Sequence, residues 1–259
     1  MLLLQLNNVT KTFGGLVAVA GFSAGVERGE VAGLIGPNGA GKTTVFNLIT
    51  GSVRPDAGFV FFSGRSLSRL RPNRIVSLGI ARTFQTIRLF PHMSVLENVL
   101  SGCHCRMTQG LASAFLRLPA QRAEERLVLK RAMEELDFVG LARKWNLPAG
   151  GLSYGEQRRL EIARALATEP KLVILDEPAG GMNEQETESL TGLISLIRGR
   201  GVTIMLIEHD MGFVMRVCDK LFVMENGVKI AEGPPDEIRR DPRVIEAYLG
   251  PDEEGDARA

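Results

Sequence analysis

A glycine-rich octapeptide between an apolar run and a helix-forming stretch constrains the fold more than any other feature of the chain. It matches the pattern G-x-x-x-x-G-K-[ST] and reads Gly36-Pro37-Asn38-Gly39-Ala40-Gly41-Lys42-Thr43. The run Glu30–Ile35 predicts a strand and Lys42–Ile49 predicts a helix, which is the context that the pattern requires. The glycines let backbone N–H groups surround a phosphate at the positive end of the helix dipole. The sequence therefore predicts a strand–loop–helix unit that binds phosphate.

Two side chains of this loop suit a nucleoside triphosphate. The ammonium of Lys42 would neutralise the β- and γ-phosphates, and the hydroxyl of Thr43 would bind Mg²⁺. The candidate nucleotide-binding stretch runs from Gly36 to Thr44. The competing interpretation is a glycine turn without a ligand, which the full pattern disfavours.

An acidic pair follows a second apolar run. Leu172–Leu175 predicts a strand buried on both faces, and Asp176 and Glu177 come directly after it. Asp176 is expected to hold Mg²⁺, directly or through water, and Glu177 to polarise an attacking water as a general base. Taken alone, the pair fits a helix N-cap before Pro178 equally well. The phosphate-binding loop favours the catalytic interpretation.

A third motif, Leu152–Gln157, opens a predicted helix. Ser153 is a plausible N-cap and Glu156, three residues later, would complete a capping box, which by itself needs no function. The chain here resembles the ABC ATPases, whose signature sequence has this form and lies shortly before the second acidic motif. The resemblance covers nearly the whole chain.

The resemblance implies roles for further residues. Phe13 would stack on adenine. Gln85 would contact Mg²⁺ and water and sense the permease, and His209 would contact the γ-phosphate. Ser153, Gly155 and Glu156 would serve the nucleotide of a second ATPase subunit paired head to tail with the first. The expected catalytic set is Lys42, Gln85, Glu177 and His209, and the expected metal set is Thr43, Gln85 and Asp176.

Two departures from the common family pattern indicate a narrower branch. Ala179–Asn183 replaces a Ser-Ala-Leu-Asp-like loop, and Tyr154 replaces a glycine. The resemblance implies that the loop still crosses the dimer interface, but it leaves the aspartate contacts there open. Both features resemble the branch that serves importers of branched-chain and other hydrophobic amino acids. The stretches 11–18 and 245–250 agree with that branch.

The element pattern predicts an α/β fold: a P-loop NTPase core with a mixed or parallel sheet, an antiparallel β subdomain and a helical subdomain. Residues 1–93 and 152–250 would form the core with its β subdomain, 94–151 the helical subdomain, and 251–259 a frayed tail. In the helical subdomain, the spacing of Leu129, Met133 and Leu136 predicts one buried face. The predicted strands are 2–9, 17–24, 30–35, 59–62, 80–84, 171–175, 202–207 and 220–224, and the predicted helices after the linker are 155–167, 184–198 and 211–217.

Composition excludes some classes of protein. The 259 residues carry 31 basic and 30 acidic side chains, so the net charge of +1 gives no electrostatic footprint for nucleic acid. The start lacks the features of a signal peptide, and no apolar run approaches the roughly 20 residues that span a bilayer. Cys103-His104-Cys105 lacks a second ligand pair and is interpreted as reduced thiols.

The resemblance implies ATP and Mg²⁺ as cofactors and a location at the cytoplasmic face of the plasma membrane. The implied partners are a second ATPase subunit, either identical or a paralogue, integral membrane permease subunits and, indirectly, an external solute-binding protein. Three alternatives stay open at this point: an ATPase for lipid or lipopolysaccharide export, a soluble ABC protein acting on nucleic acid or the ribosome, and a GTPase. The last is disfavoured because the chain has no Asn-Lys-x-Asp element.

Overall fold

The structure is a computed structural model that describes residues 1–103 and 119–249. The strands are β1 (Leu2–Phe13), β2 (Leu16–Glu27), β3 (Val31–Ile35), β4 (Ala57–Phe62), β5 (Arg65–Ser66), β6 (Ile80–Arg82), β7 (Leu172–Asp176), β8 (Thr203–Ile207), β9 (Lys220–Glu225) and β10 (Val228–Gly233). The helices are α1 (Lys42–Ile49), α2 (Pro72–Leu78), α3 (Val95–Cys103), α4 (Pro119–Phe138), α5 (Tyr154–Leu166), α6 (Glu184–Gly199), α7 (Met211–Val217), α8 (Pro235–Ile238) and α9 (Pro242–Leu249).

The main sheet has six strands in the order β10-β9-β3-β8-β7-β6. All neighbouring pairs are parallel except β9 and β10, which form an antiparallel hairpin. Every residue of β3, β7 and β8 is buried, because helices cover one face and the second sheet covers the other. The predicted α/β fold with a mixed, mainly parallel sheet is confirmed.

The second sheet is antiparallel, with the order β2-β1-β4-β5. Its inner face packs on the main sheet around α1 through a core that includes Leu6, Phe46 and Met205. Strands β1 and β2 are longer than predicted because they form one continuous hairpin that turns at Gly14 and Gly15. The predicted antiparallel β layer is therefore present.

The other core lies on the opposite face of the main sheet. Helices α3, α4, α5 and α6 contribute to it, and Leu160, Val173 and Ile194 are among its buried members. The predicted buried face of α4 is only partly correct, since Leu136 is buried but Leu129 is exposed and Ala132 lies inside instead. Residues 104–118 and 250–259 lie outside the described part of the chain. The division into a core and a helical subdomain stays a prediction.

Smaller elements and single residues complete the comparison with the sequence. Helix α2 and strand β5 are not predicted, and β6 ends at Arg82 instead of Phe84. Asn226 and Gly227 form the predicted hairpin turn, both with positive φ. The side chains of Cys103 and Cys218 are buried, whereas His104 and Cys105 fall outside the described residues. Among the described residues, no group of three or more metal-binding side chains is present and no helix is long and apolar enough to cross a bilayer.

Candidate active site

A cavity of about 440 Å³ opens at the carboxyl edge of the main sheet, where β3 leads into α1. The segments that follow β3, β7 and β8 meet at this edge because the three strands are parallel neighbours. The cavity is lined by Leu16, Val17, Ala18, Asn38, Gly39, Ala40, Gly41, Lys42, Thr43, Thr44, Gln85, Glu177, Ile207, Asn226 and Gly227. Most of the predicted nucleotide-binding loop therefore shares one cavity with three of the four predicted catalytic residues, namely Lys42, Gln85 and Glu177.

Two glycines of the loop are required by its backbone path. Gly36 has a φ of 145°, and a Cβ there would lie 2.0 Å from the carbonyl oxygen of Met224. Gly41 has a φ of 100°, and a Cβ there would lie 2.3 Å from the carbonyl oxygen of Ala18. Only glycine tolerates such conformations at such close approach.

The start of α1 fits an anionic ligand. Gly41 occupies the N-cap, no side chain caps the helix, and no acidic residue lies in its first turn. The first-turn N–H groups have no intrahelical acceptor, and the helix dipole places partial positive charge at this end. These donors border the cavity at Lys42, Thr43 and Thr44, so the residues present fit a nucleotide phosphate.

The side chain of Lys42 is fixed by hydrogen bonds from its ammonium to the backbone of the same loop. Its Nζ donates hydrogen bonds to the carbonyl oxygens of Gly36 at 2.6 Å and Pro37 at 2.8 Å. Burial lowers the pKa of Lys42, while the carboxylates of Glu177 and Asp176 oppose that shift. The ammonium thus lies among acceptors beside the cavity, and its contact with phosphate stays a prediction.

Glu177 is fixed at the cavity by both its backbone and its side chain. Its φ of 46° is left-handed, which costs a non-glycine residue about 1–3 kcal/mol, and its N–H donates to the carbonyl oxygen of Ile207 at 3.0 Å. Gln85 Nε2 donates to Glu177 Oε2 at 2.8 Å. Nδ1 of His209 lies 4.0 Å from Glu177 Oε1, although His209 itself does not line the cavity. The three predicted catalytic residues Gln85, Glu177 and His209 are thus brought together.

Asp176 is placed differently from its neighbour. It is buried, it does not line the cavity, and its Oδ2 accepts a hydrogen bond from Arg82 Nη2 at 2.7 Å. Nη1 of Arg82 also donates to Asn47 Oδ1 on α1 at 2.7 Å. The guanidinium therefore ties β7 to α1 behind the phosphate loop. The metal-holding role of Asp176 stays a prediction, whereas Thr43 and Gln85 bring oxygen donors to the cavity itself.

Phe13 lies at the tip of the β1–β2 hairpin. Its side chain is about half exposed, and Lys11 Nζ lies 5.2 Å from the centre of its ring. The hairpin residues that line the cavity are instead Leu16, Val17 and Ala18. Phe13 is only three residues from Leu16 in the chain but does not itself line the cavity. Its contact with adenine stays a prediction.

The signature residues form a second, separate group. Ser153 caps α5, and the capping box with Glu156 is confirmed: Glu156 N donates to Ser153 Oγ at 3.3 Å, and Ser153 N donates to Glu156 Oε2 at 3.2 Å. A hydrogen bond from Lys144 lowers the pKa of Glu156. Ser153, Gly155 and Glu156 line a cavity of about 200 Å³ beside α6 and do not line the phosphate cavity.

Glu208 is a site residue that motif reasoning missed. It is buried between the end of β8 and the segment after Glu177, where Oε1 accepts from Ala179 N at 2.7 Å and Oε2 from His209 N at 3.2 Å. Burial raises its pKa despite these hydrogen bonds. An acidic residue directly after a buried strand and directly before the candidate histidine was the signal available in the sequence.

The chain is similar to known families and to individual proteins over most of its length. A family model described as "ABC transporter" matches residues 19–180, and one described as "Branched-chain amino acid ATP-binding cassette transporter" matches residues 228–252. The high-affinity branched-chain amino acid transport ATP-binding protein LivG of Salmonella typhimurium is 46% identical over 249 residues, which cover 96% of this chain and 98% of that protein.

Solved structures resemble the whole chain. The ADP conformation of an ATP-binding cassette of an ABC transporter has a TM-score of 0.85 and 36% identity, covering 97% of this chain and all of that one. A dimeric, post-hydrolysis ATP-binding cassette bound to ADP and Pi has a TM-score of 0.75 and 25% identity, covering 90% of this chain and 98% of that one.

Proposed function

Since the chain belongs to the ATP-binding proteins of ABC transporters, we propose that it powers the import of branched-chain or related hydrophobic amino acids. Members of this family are ATPases coupled to transport, and the chain is one of them. The finer statements, on solute, metal and partners, are the proposal. The observation that carries the solute assignment is the match of residues 228–252 to the branched-chain amino acid family model, and the contact between Gln85 and Glu177 at the phosphate cavity supports the hydrolytic part.

The proposed reaction uses groups whose positions the structure gives. The N–H groups at the start of α1 and the ammonium of Lys42 bind the β- and γ-phosphates. The Glu177 carboxylate accepts a proton from the attacking water, and Gln85 orients that carboxylate through the 2.8 Å hydrogen bond. His209 lies beside Glu177 to contact the γ-phosphate.

Mg²⁺ would be held next to these groups. When bound, it neutralises charge on the phosphate oxygens. Thr43 and Gln85 line the cavity with the oxygen donors that this ion prefers. Asp176 would act on it from behind the loop, with its carboxylate oriented by Arg82.

A second ATPase subunit would complete the site. Support comes from the separation of the two cavities, because the residues that line the signature cavity do not include any that line the phosphate cavity. The N–H groups at the start of α5 would then face the nucleotide of the partner subunit. A solved structure of the same fold is dimeric and holds ADP and Pi, which supports a two-subunit assembly.

The solute and the membrane partners follow from the relatives. LivG is named for branched-chain amino acid transport, and residues 228–252 match the family model described as "Branched-chain amino acid ATP-binding cassette transporter". We therefore expect membrane permease subunits, an external solute-binding protein that contacts the permease, and no nucleic acid. The chain would be peripheral at the cytoplasmic face of the plasma membrane.

Three measurements test the proposal. Purified protein should hydrolyse ATP in the presence of Mg²⁺, and cells that lack this chain should lose ATP-dependent uptake of radiolabelled leucine. Affinity purification from native membranes should recover permease subunits and a related ATPase. Recovery of lipid-export membrane proteins, with leucine uptake intact, would instead favour the export alternative.

A further inference from the structure

One buried arginine links the signature helix to the candidate catalytic residues of the same subunit. Arg158 lies on α5 and is fully buried, together with Glu161 one turn later. Nη1 of Arg158 donates to Glu161 Oε2 at 2.8 Å and to the carbonyl oxygen of Phe84 at 2.7 Å. The guanidinium therefore reaches from α5 to the segment that carries Gln85.

The other terminal nitrogen contacts the catalytic pair directly. Nη2 of Arg158 donates to the carbonyl oxygen of Gln85 at 3.0 Å and to that of Glu177 at 3.4 Å. The side chains of the same two residues are joined at 2.8 Å. One guanidinium thus holds the backbones of both residues whose side chains meet at the phosphate cavity.

Stability alone is a weak reason for a charged group in this position. A buried ion pair often stabilises a fold no better than well-packed apolar residues of the same volume, because both charges must leave water. Within the described residues, Nε of Arg158 has no hydrogen-bond partner, which adds to that cost. The planar guanidinium does provide what an apolar side chain cannot, a fixed fork of donors to several acceptors at once.

We propose that Arg158 is a positioning residue that couples the signature helix to Gln85 and Glu177 of its own subunit, and so links the two ATP sites of the dimer. The inference rests on the proposed two-site function. Ser153 at the start of α5 would face the partner's nucleotide, while Glu177 faces the subunit's own. Because α5 is one continuous helix, a shift that the partner's nucleotide imposes on Ser153 moves Arg158 and the carbonyls it holds.

The substitution Arg158→Lys tests the proposal with the charge preserved. Lysine keeps a positive charge beside Glu161 but cannot bond several carbonyls in a fixed fork. We expect kcat to fall on the order of tenfold to a hundredfold, the loss typical of misplaced catalytic groups. The Kd for a fluorescent ATP analogue should stay within about twofold, since no loop residue changes, and the Hill coefficient for ATP in turnover should fall toward 1. Arg198→Lys is the control, because Arg198 is a half-exposed helix arginine paired with Asp219 at 3.0 Å.

A second variant distinguishes the loss of the guanidinium contacts from misfolding of the protein. Arg158→Met combined with Glu161→Gln removes both buried charges and leaves an acceptor oxygen for the N–H groups of Phe84 and Arg88. It should show the same loss of kcat and the same Hill coefficient as Arg158→Lys. A cooperative thermal unfolding transition should show that the double variant is folded.

Each result decides between the proposals. Wild-type kcat and cooperativity in Arg158→Lys would overturn the inference. A reduced kcat with unchanged cooperativity, or a wild-type Hill coefficient of 1, would overturn the coupling between sites. Absence of ATP hydrolysis by the wild-type protein would instead overturn the proposed function on which the inference rests.

Discussion

The hydroxyl of Tyr154 donates a hydrogen bond to the carbonyl oxygen of Gly180 at 2.9 Å. This contact joins the two places where the sequence departs from the common pattern of its family, the third residue of the signature motif and the segment after Glu177. The ring also lies against Gly181, where an added Cβ would meet it at 3.5 Å. The two departures therefore form one unit, in which the tyrosine side chain supports a glycine-rich segment.

Tyr154→Phe should destabilise the protein modestly. The variant loses one neutral hydrogen bond, worth about 0.5–1.5 kcal/mol, and the exposure of the site places the loss at the lower end of that range. We expect thermal unfolding to shift by no more than about 2–4 °C. Tyr154→Gly should cost more because it also removes the ring from Gly181. Equal stability of the two variants would show that the ring contact contributes nothing.

Glu177→Gln should abolish turnover while ATP still binds. The amide keeps the size of the side chain but cannot accept a proton, so hydrolysis should fall on the order of a hundredfold or more. With ATP bound and not hydrolysed, the two-site arrangement predicts a stable dimer in size-exclusion chromatography with light scattering. Glu188→Gln, on the exposed face of α6, is the matched control. A variant that stays monomeric with ATP would contradict the two-site mechanism.

Gly36→Ala and Gly39→Ala should separate steric exclusion from backbone strain. Both glycines have positive φ, but a Cβ at Gly36 would lie 2.0 Å from the carbonyl oxygen of Met224, whereas nothing lies within 4 Å of one at Gly39. Gly39→Ala should cost about 1–2 kcal/mol through strain alone, and Gly36→Ala clearly more. Urea unfolding monitored by circular dichroism measures both. A reversed order would mean that the loop relaxes away from Met224.

Glu208→Gln should change how stability depends on pH. Burial raises the pKa of Glu208, so folding favours its protonated form, and the wild type loses stability as pH rises from the unfolded pKa through the folded one. The glutamine variant lacks this loss. The melting temperature of the variant relative to the wild type should therefore increase from about pH 4.5 toward neutral pH and then level off. The backbone N–H groups of Ala179 and His209 and the charge of His209 lower this pKa, whereas Glu177 raises it further, so a flat difference would show that the lowering contributions cancel the effect of burial.

Elements with long, regular patterns could be predicted from the sequence. Strands β7 and β8 are apolar except for Asp176 and Thr203 at their ends, because both faces are buried. The capping box at Ser153 and Glu156 is a local interaction that needs no tertiary contact. Helix α2 was missed although proline at its start and Gly79 at its end were present. Its seven residues bury only Ile75, so no apolar period could develop.

Contacts between segments distant in sequence could not be predicted. Arg82, Arg158 and Glu208 look like ordinary polar residues, and only the tertiary structure shows that their side chains are buried beside the candidate site. Leu129 shows the converse error, because the correct helical spacing did not reveal which face of α4 meets its neighbours. Motif residues were found through local patterns, whereas the residues that position them depend on strand order and helix packing.

The pair Arg82–Asp176 provides the last prediction. Both side chains are buried, and Nη2 and Oδ2 lie 2.7 Å apart. Arg82→Met should destabilise the protein by about 3–5 kcal/mol, because it leaves the Asp176 carboxylate buried without its partner. Combining Arg82→Met with Asp176→Asn removes that uncompensated charge and should recover most of the lost stability.

Lys11→Met is the control for this pair. It breaks an ion pair of the same length with the exposed Asp56 and should have a much smaller effect, because water screens the charge that remains. Urea unfolding of the four proteins, including the wild type, measures the differences. If Arg82→Met were no more costly than Lys11→Met, Asp176 would have to be solvated from the nucleotide cavity.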